Sequence, residues 1–238
     1  MPKEQCVRVF SWDEDGVRCN YDVPYRPYVM VEDRAGTFNS IFNTKLRKRE
    51  FSSQFERNNY VRDCGTSRIF ENLSPVHQFL VDTYWKHHET KDFGKFDLRT
   101  ITVDIEVYSP AEFPVADLAL HPINIITIHD SLTDTIYTWG TKPYESNTPN
   151  LQYVYCVTEK QLLLKFLDKF AELEPDLLIG WNNVGFDIPY IINRITRVLG
   201  EEHIKTLSPV LRVYNRTVKA GNFGQAQIRW YIDEIGRA

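Results

Sequence analysis

Cysteine is scarce: four residues in 238, Cys6, Cys19, Cys64 and Cys156, none of them in a C-x-x-C pair. The six histidines do not fall at ligand spacing beside them, so the pattern speaks against zinc and reads as free thiols in a reducing compartment. No apolar run approaches the ~20 residues of a membrane span. The opening Met-Pro-Lys-Glu-Gln lacks the basic-then-apolar order of a signal peptide. The expectation is a cytoplasmic protein with no membrane partner. Repeats and low-complexity stretches are absent too. Charge of one sign is also in short supply, with a net charge of −4, so the whole molecule is not a basic sleeve for nucleic acid. Hydrophobic residues at 42% and charged residues at 25% are ordinary for a globular chain.

The length allows one large domain or two modest ones. Residues 5–12 and 17–31 alternate β-formers around Asp13-Glu14-Asp15-Gly16, which reads as a hairpin. Between Thr44 and Arg68 stand Lys45, Arg47, Lys48, Arg49, Arg57, Arg62 and Arg68 against three acids. Charge alone leaves two readings of this segment open, a phosphate-facing patch and a solvated helix face. Ser53 with Glu56 makes a capping box, and Ser74-Pro75 opens a helix into Val76–Trp85. The polar stretch His87–Lys95 follows, and a domain boundary is placed near residues 90–98. This gives one domain over 1–98 and a second over 99–238.

The second domain begins on Ile101, Val103, Ile105 and Val107, which alternate with Thr102, Asp104 and Glu106 as in a half-buried strand. Ile123–His129, Thr135–Trp139 and Leu151–Val157 read as further strands. Thr158 with Gln161 caps a helix that Pro175 ends. Asp176–Gly180 is a short buried strand, and Asp187–Leu199 a helix stopped by Gly200. Thr133-Asp134-Thr135 falls in a turn. The order of elements predicts an α/β layer fold.

Asp104 and Glu106, two apart on a strand, project from one face. Carboxylates so placed repel unless a cation sits between them, and oxygen-only ligands favour magnesium or manganese. An Asp-x-Glu triplet alone carries little weight, since such a pair usually marks an exposed strand edge. Some eighty residues on, Gly180-Trp181-Asn182-Asn183-Val184-Gly185-Phe186-Asp187 joins a strand to a helix. The bland alternative is that Asp187 merely caps that helix.

Asp104-Ile105-Glu106 followed by Asn182…Phe186-Asp187 resembles the first two exonuclease motifs of family B DNA polymerases. Gly180-Trp181-Asn182, Phe186-Asp187-Ile188-Pro189-Tyr190-Ile191, Leu207-Ser208-Pro209 and Tyr25-Arg26-Pro27-Tyr28 are similar to the T-even-type bacteriophage group in particular. The resemblance spans the chain and implies an α+β N-terminal domain followed by a ribonuclease H-like exonuclease domain with a mixed sheet. It implies that Asp104 bridges two divalent metals, that Glu106 holds the one activating water, and that Asp187 binds the second. Ile105, Phe113, Asn182 and Phe186 would contact the substrate, with Phe113 stacking on the unpaired end. The activity implied is 3′→5′ proofreading hydrolysis with magnesium or manganese, in the host cytoplasm if phage-encoded. The family's third exonuclease motif and its polymerase motifs have no counterpart before Ala238, so the site is expected to lack one ligand and to act weakly alone. The implied partners are a single-stranded DNA 3′ end, a C-terminal polymerase portion, RNA through the N-terminal domain, and a second copy of the chain. Val213–Val218 and Gln225–Ile232 flank a hairpin signal with Gly221-Asn222 at its tip. In the family such a hairpin holds separated strands apart.

Two rival readings use the same residues differently. In one, the chain is a catalytically incomplete nucleic-acid-binding or assembly module that needs a C-terminal partner. In the other it is an unrelated ribonuclease H-like nuclease, with a further acid from Asp117, Asp130 or Asp233.

Overall fold

The computed structural model describes residues 5–13, 15, 17–64, 69–70, 73–85, 97–110, 112–219, 226–233 and 235–237. These fall into two compact units, residues 1–94 and 95–238.

In the first unit, β1 (Cys6–Trp12) pairs antiparallel with β2 (Arg18–Pro24), from Cys6 opposite Pro24 to Trp12 opposite Arg18. Asp13 shapes the turn, its Oδ1 accepting the N–H groups of Asp15 and Val17 at 3.1 and 2.7 Å. The β-forming run does not continue as one strand. After Pro24 the chain enters a separate sheet ordered β3 (Tyr28–Glu32), β5 (Lys45–Glu50), β4 (Phe38–Asn39). The basic segment is therefore divided. Lys45, Arg47, Lys48 and Arg49 lie on the middle strand, while Arg57, on α1 (Gln54–Cys64), is buried. Arg68 lies outside the described residues.

Arg57 donates to the carbonyls of Tyr28 (3.2 Å) and Leu73 (3.0 Å). Gln78, on α2 (Pro75–Tyr84), brackets Tyr28 by donating to its carbonyl at 2.8 Å and accepting its N–H at 3.3 Å. Both helices are capped. Ser53 Oγ accepts the Glu56 N–H, but the Glu56 carboxylate turns back to Ser52, one residue earlier than a capping box requires. Ser74 Oγ accepts the His77 N–H.

The second unit is built on β6 (Thr100–Val107). Around it, in chain order, come β7 (Ile123–Asp130), β8 (Thr135–Gly140), β9 (Leu151–Tyr155), α3 (Glu159–Leu173), β10 (Leu177–Ile179), a π-helical turn Asn183–Asp187, α4 (Ile188–Val198), a 3-10 helix Glu201–Leu207, β11 (Val213–Lys219), β12 (Ala226–Ile232) and β13 (Gly236–Arg237). The sheet order is β13-β10-β6-β7-β8-β9. The β6–β7 and β7–β8 pairs are antiparallel, whereas β10 runs parallel to β6 and to β13, and β9 parallel to β8. Three antiparallel strands continuing into a parallel edge, with helices packed on the sheet, make the ribonuclease H-like α/β fold that the motifs imply.

The core is dry. Ile101, Val103 and Ile105 of β6 and Ile126 and Ile128 of β7 pack in one cluster with Leu162, Leu163, Phe166 and Phe170 of α3 and Ile191, Ile192 and Ile195 of α4. Thr158 caps α3 by accepting the Gln161 N–H, and Gln161 reaches back to the Val157 N–H. That helix ends on Glu174 in the left-handed region (φ 43°), just before Pro175. Thr133-Asp134-Thr135 lies at the β7–β8 turn, as expected, with Asp134 left-handed (φ 50°). All four cysteines are free thiols. No helix among the described residues is long and apolar enough to cross a membrane.

Candidate functional site

Alternation along β6 buries Ile101, Val103 and Ile105 and leaves Asp104 and Glu106 exposed on the other face. One strand thus anchors itself in the core and presents two carboxylates. The ladder with β7 slips by a residue between Glu106 and Val107, a bulge that ends regular pairing just past the second acid.

The Gly180–Asp187 segment is fixed atom by atom. A Cβ on Gly180 would stand 2.8 Å from the Val103 carbonyl, so only glycine allows the end of β10 to approach β6 this closely. Asn183 is buried and donates to the Leu178 carbonyl at 3.2 Å, tying the loop to its own strand. The Asn182 carbonyl collects the N–H groups of Gly185, Phe186 and Asp187 at 3.1, 2.7 and 3.4 Å. The last of these closes a ring one residue wider than in an α-helix. Trp181 beside it is fully exposed.

This turn decides the role of Asp187. The residue stands at the N-terminus of α4 yet makes no side-chain capping hydrogen bond. It is only 6% exposed. Burial raises its carboxyl pKa, the charge of Asp104 raises it further, and the backbone N–H groups of Asp187 itself and Ile105 pull the other way. Asp187 is thus a buried carboxylate that feels the charge of another and is not spent on capping the helix.

The donor set fits a hard divalent ion, being oxygen-only and carrying repulsion that such an ion would relieve. Among the described residues, however, no three Asp, Glu, His or Cys side chains gather closely enough to hold a metal ion. The facing pair is Asp104 and Asp187. Glu106 shares the Asp104 face without joining them in a group of three.

A cleft of about 420 Å³ opens beside Glu106, lined also by Ile105, Phe113 and Phe186, while Asp104 and Asp187 do not line it. Phe113 touches Phe186 (ring centroids 5.1 Å apart), which in turn touches Tyr190 (5.3 Å). Even so, Phe113 is 78% exposed. Ile105 is buried in the core cluster and also lines the cleft. The other acids considered are used elsewhere or stand alone. Asp130 is buried in the β7–β8 turn against Arg99 (3.3 Å) and Thr133 Oγ1 (2.9 Å), Asp233 pairs with Arg212 (3.2 Å), and Asp117 is exposed.

Sequence reasoning missed the residues that hold the Phe113 loop. Four side chains on one face of α4 take hold of it. Tyr190 OH donates to the His121 carbonyl (2.8 Å), Asn193 to Ala116 (2.9 Å), Arg194 to Ala119 (2.9 Å) and Leu120 (3.2 Å), and Arg197 to Leu118 (2.8 Å). Arg194 also forms a buried ion pair with Glu159, whose Oε1 accepts the Ile123 N–H at 2.7 Å. Polar residues at i, i+3, i+4 and i+7 on an otherwise apolar helix were the available signal.

Residues 67–231 match the sequence profile of the exonuclease domain of family B DNA polymerases. The chain belongs to that family. Among individual proteins it is similar to the DNA-directed DNA polymerase of Escherichia phage RB69, 28% identical over 228 residues, which are 83% of this chain and 25% of that protein. The corresponding enzyme of Enterobacteria phage T4 is 24% identical over 94% of this chain and 27% of its own length. A DNA polymerase of Acanthamoeba polyphaga mimivirus is 42% identical over 61% of this chain and 9% of its own length. The chain spans about a quarter of the length of its phage relatives.

Proposed function

We infer that the chain removes nucleotides from the 3′ end of single-stranded DNA by hydrolysing the terminal phosphodiester, in a proofreading role beside a DNA polymerase portion. The observation that carries this reading is Asp187, buried, making no capping bond to α4 and set against the charge of Asp104, whose strand neighbour Glu106 lines an open cleft. Asp104, Glu106 and Asp187 would hold a pair of magnesium or manganese ions, which when bound supply Lewis-acid chemistry at the scissile phosphate.

The chain's own residues do the positioning. The Ile105 N–H and the π-helical turn keep the Asp187 carboxylate in place, so the charge to be met by substrate and cation is set before either arrives. Asn182 acts through its carbonyl, which holds the turn closed. Phe113 and Phe186 offer the terminal base an aromatic platform, and stacking of this kind is sequence-tolerant at roughly 1–3 kcal/mol per base. Selection for mispaired ends follows because an unpaired terminus reaches such a cleft without the cost of melting.

The test is a 5′-labelled single-stranded oligonucleotide incubated with the chain and manganese. The expected product is a ladder shortened by single nucleotides, stopped by chelator. Asp104→Asn and Asp187→Asn should each slow it at least about a hundredfold, the equivalent of roughly 3 kcal/mol of transition-state stabilisation. A ladder of equal intensity from Asp104→Asn would place the chemistry elsewhere.

A further inference from the structure

Backbone and side chains exchange places in the segment that follows Phe113. Leu118 and Leu120 are exposed, whereas every carbonyl from Leu118 to His121 accepts a hydrogen bond from a side chain of α4. A surface loop ordinarily leaves its carbonyls to water. Here the backbone is the anchored layer.

Ala119 lies at its centre. It is fully buried, and its backbone is left-handed (φ 40°), a conformation that is costly for a residue with a Cβ. Such a residue persists only where its surroundings hold it. The hold is Arg194. Its Nη1 donates to the Ala119 and Leu120 carbonyls at 2.9 and 3.2 Å, while Nε and Nη2 engage Glu159. Glu159, at the start of α3, accepts the Ile123 N–H where β7 begins. A buried ion pair adds little net stability over apolar packing of the same volume, but the guanidinium fork fixes geometry. What Arg194 gives the β6–β7 connection is therefore a set position.

Tyr190 ties that position to the cleft. Its hydroxyl donates to the His121 carbonyl (2.8 Å) and accepts the His121 N–H (3.2 Å). Its ring meets Phe186, which meets Phe113, so one buried side chain touches the segment at one end and reaches Phe113 at the other.

We propose that Arg194 and Tyr190 are positioning residues for the 3′-terminal base. By holding Ala119 left-handed and His121 in place, they set Phe113 at the wall of the cleft before DNA arrives. DNA as the ligand rests on the exonuclease reading above, whereas the clamp does not.

The experiment measures binding, without hydrolysis, of a short oligothymidylate ending in 3′ 2-aminopurine to the Asp104→Asn chain in EDTA. F113A should weaken binding about tenfold and relieve the quenching of 2-aminopurine, since stacking on an aromatic ring supplies that much affinity. R194K keeps the charge beside Glu159 and loses the fork, and Y190F loses only the hydroxyl. Each should weaken binding about fivefold and relieve quenching, with Y190F keeping the test open if R194K does not fold. Combined with F113A, neither should weaken binding beyond F113A alone, because the clamp has nothing left to position. A119G carries no penalty for the left-handed backbone and should recover quenching in the R194K chain. A merely structural role gives losses that multiply with F113A and no recovery from A119G. Multiplying losses, or full quenching in folded Y190F, would overturn the proposal, as would an F113A chain that binds normally. Should the intact chain give no hydrolysis ladder while the clamp and F113A losses still coincide, the exonuclease reading fails and the clamp stands.

Discussion

Phe166 and Tyr28 are both buried aromatic residues, each central to its unit, and their surroundings have little in common. Phe166 packs against Trp139 (5.9 Å between centroids) and Phe170 (5.7 Å) in an apolar cluster that runs from β6 to α4. Tyr28 has both backbone polar groups bracketed by Gln78, its carbonyl shared with Arg57, and its hydroxyl 3.1 Å from Asp82. Its unit contributes only Tyr28, Val29, Leu46 and Phe79 as buried apolar residues among those described, alongside the buried Arg57 and Gln78. One unit is held by excluded water and dispersion. The other is held by side chains that satisfy the backbone of a strand. The first kind of centre fails by opening cavities, the second by leaving polar groups orphaned.

The largest expected effect lies in the dry core. Phe166→Ala should cost about 3–5 kcal/mol, read as faster native-state hydrogen exchange at β7 and β8 amides. A cost below about 1 kcal/mol would mean that α3 closes over the gap and that the core is less tightly packed than its burial implies.

Next comes the polar centre. Gln78→Leu keeps the bulk and removes both hydrogen bonds to Tyr28, so β3 and β5 amides should lose roughly 1–3 kcal/mol of protection. If the apolar replacement is neutral, the comparison between the two units collapses, because Gln78 would then be acting as filler.

The smallest effect has the opposite sign. The pKa of Asp187 is raised in the fold, so its ionised form at neutral pH is held at a cost to stability. Asp187→Asn should stabilise the chain by roughly 0.5–2 kcal/mol in denaturant titrations with EDTA, the opposite of its expected effect on the proposed hydrolysis. Unchanged stability would show that the Ile105 and Asp187 N–H groups already offset the burial.

The dry unit was the more legible of the two in sequence, for the same physical reason. Strands β6, β7 and β8 announce themselves by apolar alternation, and α3 by its Thr158 cap, so each was placed to within a residue or two. The exposed Asp104–Glu106 pair followed from that alternation. What escaped was whatever periodicity does not mark. β5 reads Lys-Leu-Arg-Lys-Arg-Glu, with one apolar residue to signal a strand, and becomes one through pairing with Tyr28–Glu32 on one side and Phe38–Asn39 on the other. β13 is two residues long and exists only by pairing with β10. The break between β2 and β3 at Pro24 was hidden inside a single run of β-formers. At the site, the stretch that joins the strand to the expected helix over 187–199 winds as a π-helical turn over Asn183–Asp187, which nothing in its composition marks. The four α4 side chains that grip the Phe113 loop share one helical stripe in sequence, but that spacing does not say whether the stripe meets solvent or a loop.

The extra residue of the π-helical turn sets a phase. In an α-helix each residue advances the chain by about 100° around the axis. Shortening Asn183–Asp187 by one position would let the segment wind as a regular helix at little conformational cost. It would also rotate everything upstream relative to α4 by roughly a quarter turn. Asp187 would then point away from Asp104, and the Asn182 carbonyl would lose its third donor. Side-chain changes within Val184-Gly185 alter local fit, whereas a single deletion there changes which way the carboxylate looks. The length of this turn, more than its composition, is the quantity that couples the helix to the strand bearing Asp104.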